Sequence, residues 1–200
     1  MTIYKTIFFD WGGVVANDPG DDFLNALLRQ LGASDSQIDE IFQNYMPQFM
    51  RGEITEIQYW AILKDTYGFK IHDSISEEFK KWKGLVANED ILHFVARLKA
   101  KGYRTAILSN VIEPTYNVLK QAGYYDMFDE IIASCKVGYA KPQKEIYELA
   151  LKQLKTTGAE SIFIDDKQRN LVPAKEMGFE VVLAVDPDQI ISDIDALLIK

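Results

Sequence analysis

The chain predicts an α/β fold of the Rossmann-like kind: a mostly parallel sheet with helices on both faces and a helical insert after the first strand. Short apolar, β-branched segments recur through its second half. Segments with helical apolar spacing and helix-end signals separate them. Residues 16 to 86 break this alternation with apolar spacings of three and four and no convincing strand. Parallel neighbours need crossover connections, which are usually helical, so alternation of this kind implies a parallel sheet.

The first strand is IYKTIFF, residues 3 to 9, ending at Asp10 and the Gly12-Gly13 pair of a tight loop. In the insert, Ile38, Ile41, Phe42, Tyr45, Met46 and Phe49 form one apolar stripe. Ser34 with Gln37 and Ser74 with Glu77 read as capping boxes at helix starts. The expected organisation is a core of residues 1–15 and 87–200 with a cap of residues 16–86, joined by hinges near 15 to 20 and 84 to 88. A helix over 88–101 starts at Asn88, Glu89 and Asp90 and ends in Lys99, Lys101 and Gly102, matching the helix dipole. YRTAILS (103–109) is the second strand, a helix covers 112–122 before Gly123, and DEIIAS (129–134) is the third strand. A helix at 143–155, the strand SIFID (161–165) and a helix at 167–177 before Gly178 follow. EVVLAV (180–185) and a helix over 187–198 opening on Pro187 complete the series.

The 200 residues suffice for one sizeable core and a small appended lobe. A content of 48% hydrophobic and 26% charged residues is globular, and no run approaches the ~18 apolar residues of a membrane span. The amino-terminal run is broken by Asp10 and lacks a small-residue cleavage site, so no export signal is read. Cys135 is the only cysteine, which makes the cytoplasm the default location. Thirty acidic against 22 basic residues, a net charge of −8 with no basic run, argue against a nucleic-acid partner. A phosphate-bearing substrate would therefore be held by local cations, meaning a metal or single lysines. Monomer and homodimer both remain open.

In an open parallel sheet, ligands bind in the crevice outside the carboxyl ends of the strands. Asp10 ends the first strand, Ser109 and Asn110 the second, and Asp165 and Asp166 the fourth, while Lys141 lies in the VGYAKP loop beyond the third. Each has an ordinary structural alternative. Asp10 suits a turn, Ser109-Asn110 and Asp165-Asp166 suit helix caps, and Lys141 suits a solvated position.

The ordered motifs FFDWGGVV, ILSN, YAKP and FIDD resemble those of the haloacid dehalogenase superfamily over nearly the whole chain. RGEIT at 51–55 and IDDKQRNLVPAKEMG at 164–178 are similar to the sugar-phosphatase and epoxide-hydrolase amino-terminal type, whose insert is a helical C1-type cap. The resemblance implies that Asp10 is a nucleophile forming an aspartyl-phosphate, which splits hydrolysis into two easier displacements. It implies Mg²⁺ held by Asp10, Asp166 and the Gly12 carbonyl, with Asp165 and Asn170 in the outer shell. Ser109, Asn110, Lys141 and the backbone amides of the Trp11 to Gly13 loop would bind phosphate, and Lys141 would neutralise nucleophile and phosphoryl group. The implied substrate is a small phosphorylated metabolite, such as a sugar phosphate.

This chain departs from the resemblance at one position. The phosphatases usually carry a second aspartate two residues after the nucleophile as general acid and base, and here Gly12 stands there. Such help is typically worth ~10²–10⁴ in rate. Substrates with good leaving groups, anomeric or acyl phosphates, fit that loss, and Asp18 or Glu113 are candidate substitutes. The alternatives are a metal-independent 2-haloacid dehalogenase and a phosphate-binding domain of weakened turnover.

Outside the motifs, His72 and His93 read as surface or packed side chains, Cys135 as structural filler and Trp11 as packing beneath the cap. Phe23, Tyr45, Gln48, Arg51 and Trp60 are possible substrate contacts of the cap, none singled out.

Overall fold

The computed structural model describes residues 3–16, 21–72, 75, 77–78 and 86–199. A five-stranded sheet, every pairing parallel, runs in the order β3-β2-β1-β4-β5. Its strands are β1 (Thr6–Phe9), β2 (Arg104–Ser109), β3 (Glu130–Ala133), β4 (Ser161–Asp165) and β5 (Glu180–Leu183). Each expected strand is present. The first, second, third and fifth are shorter than expected, because their outer residues leave the ladder for loops or, at Ser134, for a short helix.

Alternation along the strands sorts the core into two layers. Ile7 and Phe9 of β1, Ile107 of β2 and Ile162 and Ile164 of β4 face one way. They pack on α5 (Glu89–Ala100), α6 (Glu113–Gln121) and α10 (Pro187–Leu198). Phe8, Ala106, Leu108, Ile132 and Phe163 face the other way, against α8 (Lys144–Gln153) and α9 (Gln168–Glu176). Burial on both faces explains why the strands read as continuous apolar runs rather than alternating ones.

Between β1 and α5 lie α1 (Asp21–Gln30), α2 (Asp35–Asn44), α3 (Met46–Met50) and α4 (Glu56–Tyr67). They enclose an apolar cluster of their own that includes Leu28, Ile41, Phe49, Tyr59 and Leu63, which Ile112 of the sheet domain joins. The Ser34–Gln37 capping box is present at α2. A second box, Thr55 with Gln58, starts α4 inside the RGEIT segment, a T-x-x-Q signal that the sequence reading passed over. Ser74 of the expected Ser74–Glu77 box, residues 17–20 of the first expected hinge and residues 84–85 of the second lie outside the described residues. Among the described residues no helix is long and apolar enough to cross a membrane.

The strand order places the topological switch point between β1 and β4, since the chain builds outward through β2 and β3 and then returns to the other side of β1. The carboxyl ends of β1 and β4 are therefore where a crevice opens.

Candidate active site

Asp10 leaves β1 at that point, its amide donating to the Ile164 carbonyl at 2.9 Å and so continuing the ladder by one rung. The Trp11 amide donates to Asp10 Oδ1 at 2.7 Å. The chain then turns tightly: the Trp11 carbonyl accepts from the amides of Val15 and Ala16 at 2.9 and 2.8 Å, and the Gly13 amide donates to Ala16 at 2.7 Å. Gly13 has φ +76°, and a β-carbon there would lie 2.6 Å from Asp166 Cγ and 2.7 Å from its Oδ2. Glycine is needed here for its backbone conformation and for the closeness of Asp166.

Asp10, Asp165 and Asp166 each bring a carboxylate oxygen within 4.8 Å of the others. The fully buried Lys141 Nζ lies 2.9 Å from Asp10 Oδ2 and 2.6 Å from Asp165 Oδ2. Asp165 is held further by the Lys167 amide at 2.8 Å and by Asn170 Nδ2, 2.9 and 3.0 Å from its two oxygens. Asp166 Oδ1, by contrast, is buried without a hydrogen-bond partner among the described residues.

The electrostatics follow from burial. Desolvation, then the Asp10 charge, pushes the Asp165 carboxyl up to about 6 against the pull of Lys141. Burial and Asp10 likewise raise Asp166. Burial opposes the Lys141 ammonium, yet Asp10 and Asp165 outweigh it and hold its pKa above the ordinary lysine range. The buried Lys141 ammonium and the nearby Lys167 charge face three carboxylates, leaving net negative charge in a largely buried place, which is costly unless a further cation answers it. The all-oxygen donor set, the uncompensated charge and the orphaned Asp166 oxygen suit a hard divalent cation.

Ser109, the last residue of β2, is buried at the carboxyl end of the strand. The Asn110 side chain is engaged with the Lys141 backbone: Nδ2 donates to the Lys141 carbonyl and Oδ1 accepts from the Lys141 amide, each at 2.8 Å. Trp11 packs against Tyr124 and Tyr125, ring centroids 5.5 and 5.7 Å away. Glu113 is ion-paired with Lys136, and Asp18 lies outside the described residues. Asp10, Lys141, Asp165, Asp166 and Asn170 thus converge, and Asn110 joins them through the Lys141 backbone.

Of the cap residues, Arg51 pairs with Glu53 at 2.7 Å, Gln48 Nε2 donates to the Asn44 carbonyl at 3.0 Å, and Trp60 is buried in the insert's cluster with its indole N–H on Glu56 at 3.2 Å. Tyr45 stands edge-on to Tyr67, and Phe23 packs against the same cluster. His72 and His93 are exposed. The Cys135 thiol is raised to about 11 by burial, consistent with an inert side chain.

Three supporting residues were invisible in the sequence. Tyr147 donates from its hydroxyl to the Asn170 carbonyl at 2.7 Å, the Phe163 ring lies 5.3 Å from Lys141 Nζ, and Ser134 accepts from the Val111 amide at 2.9 Å. The first two sit at ordinary core spacings, and Ser134 had no signal beyond ending the expected third strand.

A model of the haloacid dehalogenase-like hydrolases matches residues 4–178. A sesquiterpene phosphatase of Aspergillus oryzae is 32% identical over 180 residues, covering 88% of this chain and 88% of its own. Among solved structures, an HAD-like family hydrolase from Porphyromonas gingivalis superposes with a TM-score of 0.84 at 21% identity, over 99% of both chains. An HAD family enzyme of Bacteroides thetaiotaomicron, solved as a magnesium complex, is 25% identical with a TM-score of 0.76, over 92% of this chain and 95% of that one.

Proposed function

Because this chain belongs to the haloacid dehalogenase-like hydrolases, we propose that it is a Mg²⁺-dependent phosphatase that removes phosphate from a small metabolite in the cytoplasm. The observation that carries the reading is the buried cluster of Asp10, Asp165 and Asp166 on one lysine, with the Asp166 oxygen unpartnered.

Asp10 is the nucleophile. Its carboxylate oxygen bonds to phosphorus as the bond from phosphorus to the leaving oxygen breaks, and water then hydrolyses the aspartyl-phosphate, returning Asp10. Asp10, Asp166 and the Gly12 carbonyl hold the metal, and Asp165 and Asn170 order its outer shell. When bound, Mg²⁺ supplies the positive charge that lets a carboxylate approach a phosphate dianion. Lys141 neutralises the nucleophile and the transferring group from the other side. The Ser109 hydroxyl and the amides of the Trp11 to Gly13 loop donate to phosphoryl oxygens. Asn110 acts one step back, on the backbone that carries Lys141.

Residues 16–86 form the cap over this crevice. With Gly12 where a general acid would stand, turnover favours leaving groups that depart without a proton: anomeric phosphates and acyl phosphates. The Aspergillus relative adds phosphorylated sesquiterpenes to the candidates. A metal-free dehalogenase has no use for the clustered Asp165 and Asp166, which counts against that alternative.

The test is phosphate release from a panel of sugar 1-phosphates, acyl phosphates, nucleoside monophosphates and sesquiterpenyl phosphates. At least one is expected to be hydrolysed, with loss of activity in EDTA and in Asp10→Asn. No metal-dependent turnover across the panel contradicts the phosphatase reading, and halide release from 2-haloacids insensitive to EDTA would establish the dehalogenase instead.

A further inference from the structure

The helical insert and the sheet domain meet at a buried hydroxyl. Ser134, the first residue of α7 (Ser134–Val137), is fully buried and accepts from the Val111 amide at 2.9 Å. Its one proton has two acceptors in reach: the Met50 carbonyl of the insert at 2.7 Å and the Val111 carbonyl of the sheet domain at 3.2 Å. A hydroxyl satisfies one of these at a time, and the shorter contact is the insert's. Beside it the two backbones touch, for a β-carbon at Gly52 (φ +67°) would overlap the Cys135 carbonyl oxygen.

Both core segments that meet at Ser134 lead into the site. Val111 follows Asn110, and α7 runs through Gly138 into Lys141. The reciprocal Asn110–Lys141 hydrogen bonds tie the same two segments together a second time.

We propose that Ser134 is a positioning residue that couples the seating of the helical insert to the loops bearing Asn110 and Lys141, its proton resting on Met50 when the insert is seated and on Val111 when it lifts. The second acceptor means that lifting leaves no buried hydroxyl unpaired, so the contact releases at little penalty. The same rotation draws on Val111, and through Asn110 it shifts the backbone that aims Lys141. The inference rests on the reading of Asp10 and Lys141 as the reacting pair, but its structural half is testable without turnover.

The test uses the full chain with Gly52→Ala, Ser134→Ala and the double variant, followed by hydrogen exchange and by phosphate release. Gly52→Ala alters only the insert's side of the contact, yet exchange is expected to rise at 138–142 as well as at 46–55. Ser134→Ala is expected to raise the same segments, and the double variant to add nothing further. In both single variants kcat is expected to fall about tenfold to a hundredfold with KM changed less than about threefold, the pattern of a reacting group misplaced while ground-state binding persists. Exchange confined to the insert in Gly52→Ala, or additive effects in the double variant, would overturn the coupling. If Gly52→Ala fails to fold, Ser134→Ala decides alone: a rise on only one side of the contact refutes it. If the wild-type chain releases no phosphate, the phosphatase reading fails, while the exchange pattern still decides the coupling.

Discussion

Gly13→Ala tests the construction of the site at its tightest point. The added β-carbon would meet Asp166 Cγ at 2.6 Å, where carbon contacts ordinarily begin near ~3.5 Å, so the carboxylate must retreat by about 1 Å. Holding alanine at φ +76° costs about 1–2 kcal/mol in addition. In a chain of this size each 1 kcal/mol lowers Tm by roughly 2–4 °C, so the strain alone corresponds to a fall of about 2–8 °C in metal-free protein. A displacement of ~1 Å at the reacting centre costs about 10²-fold in turnover. Calorimetric titration with Mg²⁺, thermal melts with and without metal, and kcat/KM on the best substrate separate these effects. The expected result is a lowered metal-free Tm, weakened Mg²⁺ binding and a loss in kcat/KM near that size. A variant with lowered Tm but wild-type Mg²⁺ affinity and turnover would refute the assignment of Asp166 as a ligand.

Gly12→Asp is expected to raise kcat on alkyl phosphates by up to ~10²–10⁴ while changing acyl phosphate hydrolysis little, read from rates across leaving groups; equal effects on both would mean the proton already comes from elsewhere. Lys141→Met leaves Asp10 and Asp165 facing each other without their ammonium, so stability is expected to fall by about 3–5 kcal/mol and kcat by ~10²-fold or more, measured by urea unfolding and phosphate release. Because Asp165 is raised to about 6 in the folded metal-free chain, the folded state binds the extra proton between its ordinary value and that one; its contribution to stability is present at low pH and lost as pH rises through about 4 to 6. Melts in EDTA should show this loss for the wild type and a smaller one for Asp165→Asn, in which the raised Asp166 remains, while Mg²⁺ binding should weaken as pH falls below about 6, since the metal requires ionised carboxylates.

The fold was legible because two periodicities run through the chain: both-face burial makes β1 and β4 continuous apolar runs, and capped amphipathic helices separate the strands. The positions of Asp10, Ser109, Lys141, Asp165 and Asp166 at strand-end loops were readable for the same reason. What each residue touches was not. Asn110 suited a phosphate cradle by its neighbourhood, yet its side chain is spent on the Lys141 backbone, a pairing between residues 31 apart that no local pattern encodes. Ser134 and Gly52 meet only because a short helix of the sheet domain packs on the insert, and long-range contact of that kind leaves no periodic trace. The Gly13 requirement was equally hidden, since the residue that crowds it comes from the loop after β4.

The central claim is that Asp10 carries the phosphoryl group, and mass spectrometry of rapidly quenched turnover tests it most directly. With Mg²⁺ and an acyl phosphate or sugar 1-phosphate, a single phosphoryl group is expected on the peptide containing Asp10, absent in EDTA and in Asp10→Asn. Turnover that persists in Asp10→Asn, or a phosphoryl group found on another residue, would contradict it.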